Sequence, residues 1–153
     1  MFTTFKKGAL GRRINILFRL CVGHLRREMK KLGVGMGDYA FLLSTFAQPG
    51  QSQDELSRDI CVDKSYTARA LSRLEKLDLI RREPDPDQYR VKRVYPTDLA
   101  MAIQGDIFDI VKTHQAILTR GMEPERVERI REDLDLMIEN MIAHVYHGAG
   151  EEK

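Results

Sequence analysis

The middle of the chain, residues 52–97, decides the expected fold, and it falls into three segments: SQDELSRDI at 52–60, DKSYTARALSRLEKL at 63–77 and LIRREPDPDQYRVKRVYPT at 79–97. The first two read as helices, and Asp63 is a good N-cap for the second. The third reads as a two-stranded hairpin whose charged tip contains Pro84 and Pro86. A short helix, a tight turn, a second helix and a basic hairpin are, in that order, the elements of a winged helix-turn-helix.

Length and composition agree with this fold but are less specific. The 153 residues suffice for one domain, or for a small domain with an oligomerisation element. Two cysteines, Cys21 and Cys61, are too few for a disulfide framework, so a reducing cytoplasm is expected. The apolar run at residues 14–22 is interrupted by Arg19 and is too short to span a bilayer, and no signal peptide is recognisable. No membrane partner is therefore expected.

Charge is distributed unevenly, although the net charge is only +2. Residues 1–31 carry nine basic side chains and one acidic, whereas residues 94–153 carry six basic and twelve acidic. Residues 58–93, which include the second helix and the hairpin, carry ten basic and seven acidic. A nucleic-acid partner requires local basic faces rather than a high net charge. Solvated helix faces would explain the same pattern, so charge alone leaves the partner open.

Helices are expected on both sides of the winged unit. An apolar stripe with three- and four-residue steps predicts a first helix that ends at the glycines of residues 33–37, followed by a buried helix at about 38–47. After the hairpin, Thr97 is expected to cap a helix that stops at Gly121, and Pro124 is expected to open the last helix. The last helix has an apolar seam close to a heptad repeat.

The two end helices show no apolar partner within the winged unit, and together they predict a helical dimerisation layer. The side chains expected in this layer are Leu10, Ile14, Leu17, Leu134, Met137, Met141 and Val145. A monomer whose ends pack intramolecularly is the alternative. The expected fold class is mainly α with a small β-hairpin wing. Residues 1–35 form the N-terminal helix of the layer, 36–97 the winged unit, 98–147 the C-terminal helices of the layer, and 148–153 a disordered tail.

The second helix of the winged unit has two different faces. The stripe expected to be buried consists of Thr67, Ala70, Leu71, Leu74 and Leu77. Outward-facing arginines can donate two hydrogen bonds to a guanine edge, and serines suit a base or a phosphate. The expected partner is therefore double-stranded DNA, contacted by Lys64, Ser65, Tyr66, Ala68, Arg69, Ser72 and Arg73 on the helix and by Asp87, Gln88, Arg90 and Lys92 on the hairpin.

Within this set, Arg69 is expected to reach base edges or the adjacent phosphate, and Arg73 to hold a phosphate. Arg90 is expected at the flanking minor groove. A protein–protein adaptor that uses the winged unit as a scaffold is the alternative function. An adaptor does not need arginines and a basic hairpin on one side, which favours DNA.

These residues resemble the MarR family of transcriptional regulators over about residues 34–100. The similarity is carried by Val62-Asp63-Lys64-Ser65, Arg69, Arg73-Leu74-Glu75-Lys76, Leu79-Ile80, Arg82 and Pro84-Asp85-Pro86. The family's Asp-x-Arg wing signature falls on residues 88–90, and its Val-x-Leu-Thr-x-x-Gly on residues 94–100. The resemblance implies a homodimer on a pseudo-palindromic operator, often released by a small phenolic or aromatic ligand bound between the dimer layer and the DNA-binding lobe.

Three positions depart from the family's pattern: Gln88, Pro96 and Ala100. The glutamine replaces the aspartate that pairs with the wing arginine, so Asp85 or Asp87 is expected to hold Arg90 instead. The proline has no N–H to donate, so the second strand is expected to end there. The alanine replaces a glycine and indicates an ordinary helix start. An effector is expected to change the spacing of the two recognition helices through a flexible junction at residues 33–37 and a stiffer one at 95–97.

Other chemistries are not indicated. Cys21 is expected to be a buried structural thiol rather than a redox sensor, and Cys61 to lie in the core. No cysteine or carboxylate cluster completes a metal site with His24, His144 and His147, so no metal is expected. The chain has no phosphate-binding glycine loop and no nucleophile motif, which predicts a protein that is not an enzyme and has no cofactor.

Overall fold

The structure, a computed structural model, describes residues 10–147. Its elements are, in chain order, α1 (Leu10–Lys31), α2 (Tyr39–Ala47), β1 (Gln51–Ser52), α3 (Gln53–Asp59), α4 (Lys64–Lys76), β2 (Ile80–Pro84), β3 (Lys92–Pro96), α5 (Asp98–Leu118) and α6 (Pro124–His147). The chain up to His114 forms one compact unit and the chain from Gln115 another, so the boundary falls inside α5. The tail predicted at 148–153 lies outside the described residues. Within those residues no helix is long and apolar enough to cross a membrane.

The predicted hairpin belongs to a three-stranded antiparallel sheet with the strand order β1-β3-β2. β2 and β3 pair from Ile80 opposite Pro96 to Pro84 opposite Lys92, so the second strand ends at the proline, as predicted. The third strand, β1, was not predicted. It is only two residues long, too short to show an alternating pattern, and it exists because Gln51 pairs with Val94 of β3. The sheet therefore joins the wing to the start of α3.

Local capping explains where the helices of the winged unit begin. Ser52 accepts a hydrogen bond from the Glu55 N–H at 3.3 Å, and the Glu55 carboxylate accepts one from the Ser52 N–H at 2.6 Å, which forms a capping box. Asp63 accepts from the Tyr66 N–H at 2.7 Å, as expected of an N-cap. The Thr97 hydroxyl accepts from the Ala100 N–H at 3.2 Å, which confirms both the predicted cap and the ordinary helix start.

The core of the first unit is wider than the sequence pattern indicated. Leu25 and Met29 of α1 are buried with Phe41 of α2 and Leu71 of α4, and Ile107 of α5 belongs to the same cluster. The expectation that the N-terminal helix shares no apolar partner with the winged unit was therefore wrong. An amphipathic stripe along 22 residues extends over about 33 Å, and it does not reveal which part of its length faces which neighbour.

Two further burial expectations were wrong. Leu77 is 46% exposed because α4 ends at Lys76, so its side chain does not continue the helical stripe. Cys61 is exposed rather than in the core, and its φ of 56° places it in the left-handed region. It occupies the tight turn between α3 and α4, where that backbone angle is needed. Cys21 is half-buried on α1.

The junction at residues 33–37, expected to be flexible, is packed against the recognition helix. Val34 is 2% exposed, and its N–H donates to the Met29 carbonyl at 3.1 Å. A Cβ added at Gly35 would lie 2.6 Å from the Asp38 carboxylate, and one added at Gly37 would clash with the Tyr66 hydroxyl. These two glycines therefore allow close approach of the chain to neighbouring side chains, and the flexibility of the junction stays a prediction.

Candidate nucleic-acid interface

Helix α4 is held by its inner face. Thr67, Ala70, Leu71 and Leu74 are buried, and the Ser57 hydroxyl of α3 donates to the Thr67 hydroxyl at 2.8 Å. The outer face carries Lys64, Ser65 and Arg69, all exposed, with Ala68 and Ser72 half-buried beside them. The sequence assigned these five residues to the DNA-facing side of the helix, and the structure places them together on its outer side.

Arg69 is a cation on the outer face of α4 whose hydrogen-bond donors are not used by another described residue. It is exposed, and the described residues offer it neither a hydrogen bond nor an ion pair. Lys64, by comparison, lies 2.8 Å from the Asp54 carboxylate. Both of those side chains are more than half exposed, so the pair is weak and easily exchanged for another anion.

Arg73 has a different environment from the one predicted. Its guanidinium donates to both carboxylate oxygens of Asp38, with distances of 3.1 Å from Nε to each and 2.5 Å from Nη2 to Oδ1. The Asp38 side chain is only 5% exposed, and hydrogen bonding to it raises the pKa of Arg73. The arginine expected to hold a phosphate is thus already bound to Asp38, the residue just before α2. Sequence reasoning missed the pair because its members are 35 positions apart.

Tyr66, predicted among the DNA contacts, turns toward the protein. Its ring stacks on Phe41 with a centroid distance of 6.2 Å, and its hydroxyl donates to the Gly37 carbonyl at 3.4 Å. The ring and the hydroxyl therefore link α4 to α2 and to the junction before it. This contact gives Tyr66 a structural role in placing α4.

The wing is organised by Asp85, a residue that the sequence had offered as a partner for Arg90. Asp85 is 6% exposed and accepts hydrogen bonds from the backbone N–H groups of Asp87 and Gln88, at 2.8 and 3.0 Å. Its second oxygen accepts from Arg93 Nε at 2.5 Å, and this bond is the main reason why the pKa of Asp85 is lowered. The carboxylate that stabilises the wing turn therefore pairs with Arg93.

Arg90 lies at the exposed tip of the wing, beside Tyr89. Its Nε donates to the Tyr89 hydroxyl at 2.8 Å, and its guanidinium carbon lies 5.4 Å from the centre of that ring. Tyr89 is 79% exposed. Within the part of the chain that the structure describes, no carboxylate pairs with Arg90, so neither Asp85 nor Asp87 has the predicted role.

A concave surface lies between the start of α3, α4 and the wing. It encloses about 360 Å³ and is lined by Ser52, Gln53, Asp54, Leu71, Arg82, Arg90, Val91, Lys92 and Val94. Arg82 of β2 pairs with Glu75 of α4, with 3.1 Å from Nε to Oε1, and this pair lowers the pKa of Glu75. Lys92 and Arg90 are exposed at its edge. The wing cations thus lie beside the recognition helix.

Two histidines of the first unit pack against each other, and the side chain of His147 lies outside the described part of the chain. His24 and His114 stack with centroids 5.2 Å apart, and their Nδ1 atoms are 3.1 Å from each other. Burial, and then the nearby His24, lower the pKa of His114. No group of three or more potential ligands to a metal occurs among residues 10–147. His144 is exposed on α6.

Comparison with known proteins finds a family that matches the middle of the chain. The sequence model of the MarR family matches residues 36–92. The HTH-type transcriptional regulator YybA of Bacillus subtilis (strain 168), itself described as uncharacterized, is 34% identical over 71 residues, which are 46% of this chain and 47% of YybA. The match thus spans about half of that relative.

Solved structures extend the similarity to most of the chain. A MarR transcriptional regulator from Methanosarcina mazei Go1 has a TM-score of 0.80 at 26% identity, covering 87% of this chain and 96% of its own. A putative MarR family regulator from Listeria monocytogenes, solved with a 26mer DNA, has a TM-score of 0.85 at 22% identity and covers 95% and 98%. Residues 36–92 thus match the MarR family, and the chain has the winged helix-turn-helix fold of the solved members.

Proposed function

We propose that the protein is a sequence-specific DNA-binding transcriptional regulator that inserts α4 into the major groove. The observation that carries this proposal is the outer face of α4, where exposed Arg69 and Ser65 lie on the same side as Lys64 and Ser72. A guanidinium without a protein partner retains its donors for a guanine edge, and a serine hydroxyl suits a base or a phosphate. The Listeria relative solved with DNA supports the same partner.

The wing supplies a second contact in this proposal. Arg90 at the exposed tip reaches the minor groove that flanks the major-groove site, while Lys92 neutralises a phosphate. Asp87 and Gln88 present their side chains on the same turn, because their backbone N–H groups are bound to Asp85. Arg73 is bound to Asp38, so its contribution to DNA binding is indirect.

The assignment is tested by selecting bound sequences from random duplex DNA and then measuring affinity for the selected site. Arg69→Ala is expected to weaken that affinity by roughly 1–3 kcal/mol per half-site and to relax the preference at one base pair. Arg120→Ala, which removes an exposed arginine outside α4 and the wing, serves as the matched control and should bind as the wild type does. If no sequence is enriched, or if Arg69→Ala retains full affinity and preference, the proposed interface is wrong.

A homodimer is part of the proposal, because a pseudo-palindromic operator requires two copies of α4 about 34–36 Å apart. In support, the apolar stripes at the chain ends remain solvent-exposed: Leu10, Ile14 and Leu17 on α1 are 44–54% exposed, and Leu134, Met141 and Val145 on α6 are 43–60% exposed. Stripes of this size on a single chain favour burial against another copy.

A small phenolic or aromatic effector completes the proposal. Between α1 and α5 lies a cavity of about 360 Å³ lined by His24, Glu28, Asp109, Ile110 and Thr113. Its imidazole and hydroxyl groups can bond a phenolic oxygen, and such a ligand needs different affinities for two arrangements of the protein to release DNA. Salicylate should weaken DNA binding and change the distance between spin labels on the two α4 helices. Weaker binding at an unchanged distance would contradict this mechanism.

A further inference from the structure

A continuous chain of charged hydrogen bonds crosses the first unit from the wing turn to the start of α3. Asp85 accepts the backbone N–H groups of Asp87 and Gln88 with Oδ1 and binds Arg93 with Oδ2. Arg93 Nη1 then donates to Glu55 Oε2 at 2.9 Å and to the Gly50 carbonyl at 3.2 Å. The two carboxylates raise the pKa of Arg93, and Asp85 contributes most.

Glu55 has a second bond that anchors this chain in α3. The same oxygen, Oε2, accepts the Ser52 N–H at 2.6 Å as part of the capping box. A capping box fixes the first turn of a helix, so the Glu55 carboxylate has little freedom to follow a moving wing. Arg93 therefore connects the wing turn to a point that is already held.

We infer that Arg93 is a positioning residue that holds the wing so that Arg90 lies at a fixed distance from the outer face of α4. The inference rests on the proposed function, because it concerns how the wing reaches DNA. A planar guanidinium suits this role, since its donors lie in a rigid fork that can serve two carboxylates at once. Among the described residues, the Arg90 side chain has a hydrogen bond and a ring contact with its neighbour Tyr89 alone, so its position depends on the turn that Asp85 and Arg93 hold.

The test is a double-mutant comparison of affinity for a selected DNA site. Arg90→Ala is expected to weaken binding on the order of tenfold in the wild-type background, but less than about twofold when Arg93→Gln is already present. Arg69→Ala should have the same effect in both backgrounds, because the hydrogen bonds of Arg93 go to Asp85, Glu55 and the Gly50 carbonyl and none goes to α4. Arg81→Gln, which removes another arginine of the same sheet, is the matched control and should leave the effect of Arg90→Ala unchanged.

A measurement on the free protein separates this inference from the proposed function. Arg93→Gln should speed amide hydrogen exchange at Asp87 and Gln88 while leaving the amides of α4 protected. If Arg93→Gln fails to fold, Asp85→Asn is used instead, because its carbonyl oxygen still accepts the turn amides but its amide group cannot accept from Arg93. An undiminished effect of Arg90→Ala, or unchanged wing exchange, overturns the inference. If the wild-type protein binds no selected DNA, the proposed function is overturned. The exchange measurement still tests whether Arg93 holds the wing turn.

Discussion

Arg73 shows that a side chain on the outward side of a helix can still be bound by its own protein. It lies on the outward side of α4, where a phosphate contact was expected, yet its guanidinium is bound at two points by nearly buried Asp38. A charge held in this way is oriented by the protein. Arg69, in contrast, is exposed and has no hydrogen bond or ion pair with the described residues. The difference depends on a residue 35 positions away.

We expect Arg73→Ala to destabilise the protein more than Asp38→Asn. Removing the arginine leaves a buried carboxylate without its cation, whereas removing the charge of Asp38 leaves a guanidinium that is 47% exposed and can be hydrated. The costs should be about 3 and about 1 kcal/mol of unfolding free energy, respectively. Urea denaturation of both variants provides the measurement, with Arg120→Ala as the control. Equal costs would show that Asp38 is not effectively buried.

At the scale of elements, α4 is held from two directions. Tyr66 and Arg73 bind it to the junction before α2, and Glu75 binds it to Arg82 of the wing strand β2. The recognition helix is therefore placed relative to both the wing and the chain that leads to α1. Loss of the Arg73–Asp38 pair or of the Arg82–Glu75 pair is expected to change the position of α4.

Gly37→Ala is expected to displace α4 from this junction. The added methyl group would overlap the Tyr66 hydroxyl, and such overpacking typically costs about 1–3 kcal/mol. Combining Gly37→Ala with Tyr66→Phe removes the overlapping oxygen and should recover most of the lost stability and DNA affinity. Thermal unfolding and DNA titration of the single and double variants measure this recovery. If Tyr66→Phe only adds to the loss, close packing at Gly37 is not the reason for the glycine.

For the whole molecule, the apolar side chains that the sequence assigned to a dimerisation layer are exposed or half-buried. On α6, Leu134 and Met141 are 43% and 60% exposed, and Met137 between them is half-buried. Fully burying a side chain of this kind contributes on the order of 1.5–3 kcal/mol. Several such side chains buried in both copies would offset the entropy lost on association.

The substitutions Leu134→Asp and Met141→Asp place charges in this apolar stripe. They should therefore dissociate the proposed homodimer and abolish operator binding. The control is Ala143→Asp, which adds a charge on the exposed opposite side of the same helix and should leave the dimer intact. Sedimentation at micromolar concentration distinguishes the two species, and circular dichroism confirms that the variants keep their helices. A wild-type protein that remains monomeric both free and on DNA would contradict the dimer.

Most element types and boundaries could be predicted from the sequence because they depend on local chemistry. Asp63 and Thr97 cap their helices, Pro96 ends a strand, and apolar residues at helical spacing predict α4. Strand β1 could not be predicted in this way, since a two-residue strand is created by its partner. The same reason applies to the candidate interface: its outward side chains follow from helical periodicity, but their partners do not.

The sequence by itself determined the order of elements, the polarity of the α4 face and which cations α4 and the wing carry. These properties arise from contacts between near neighbours in the chain, at spacings that periodicity reveals. Tertiary structure alone decided that Arg73 is bound to Asp38, that Asp85 serves Arg93 rather than Arg90, and that Gly37 accommodates Tyr66. Each of these contacts depends on packing and strand register, which bring together residues that no local pattern connects.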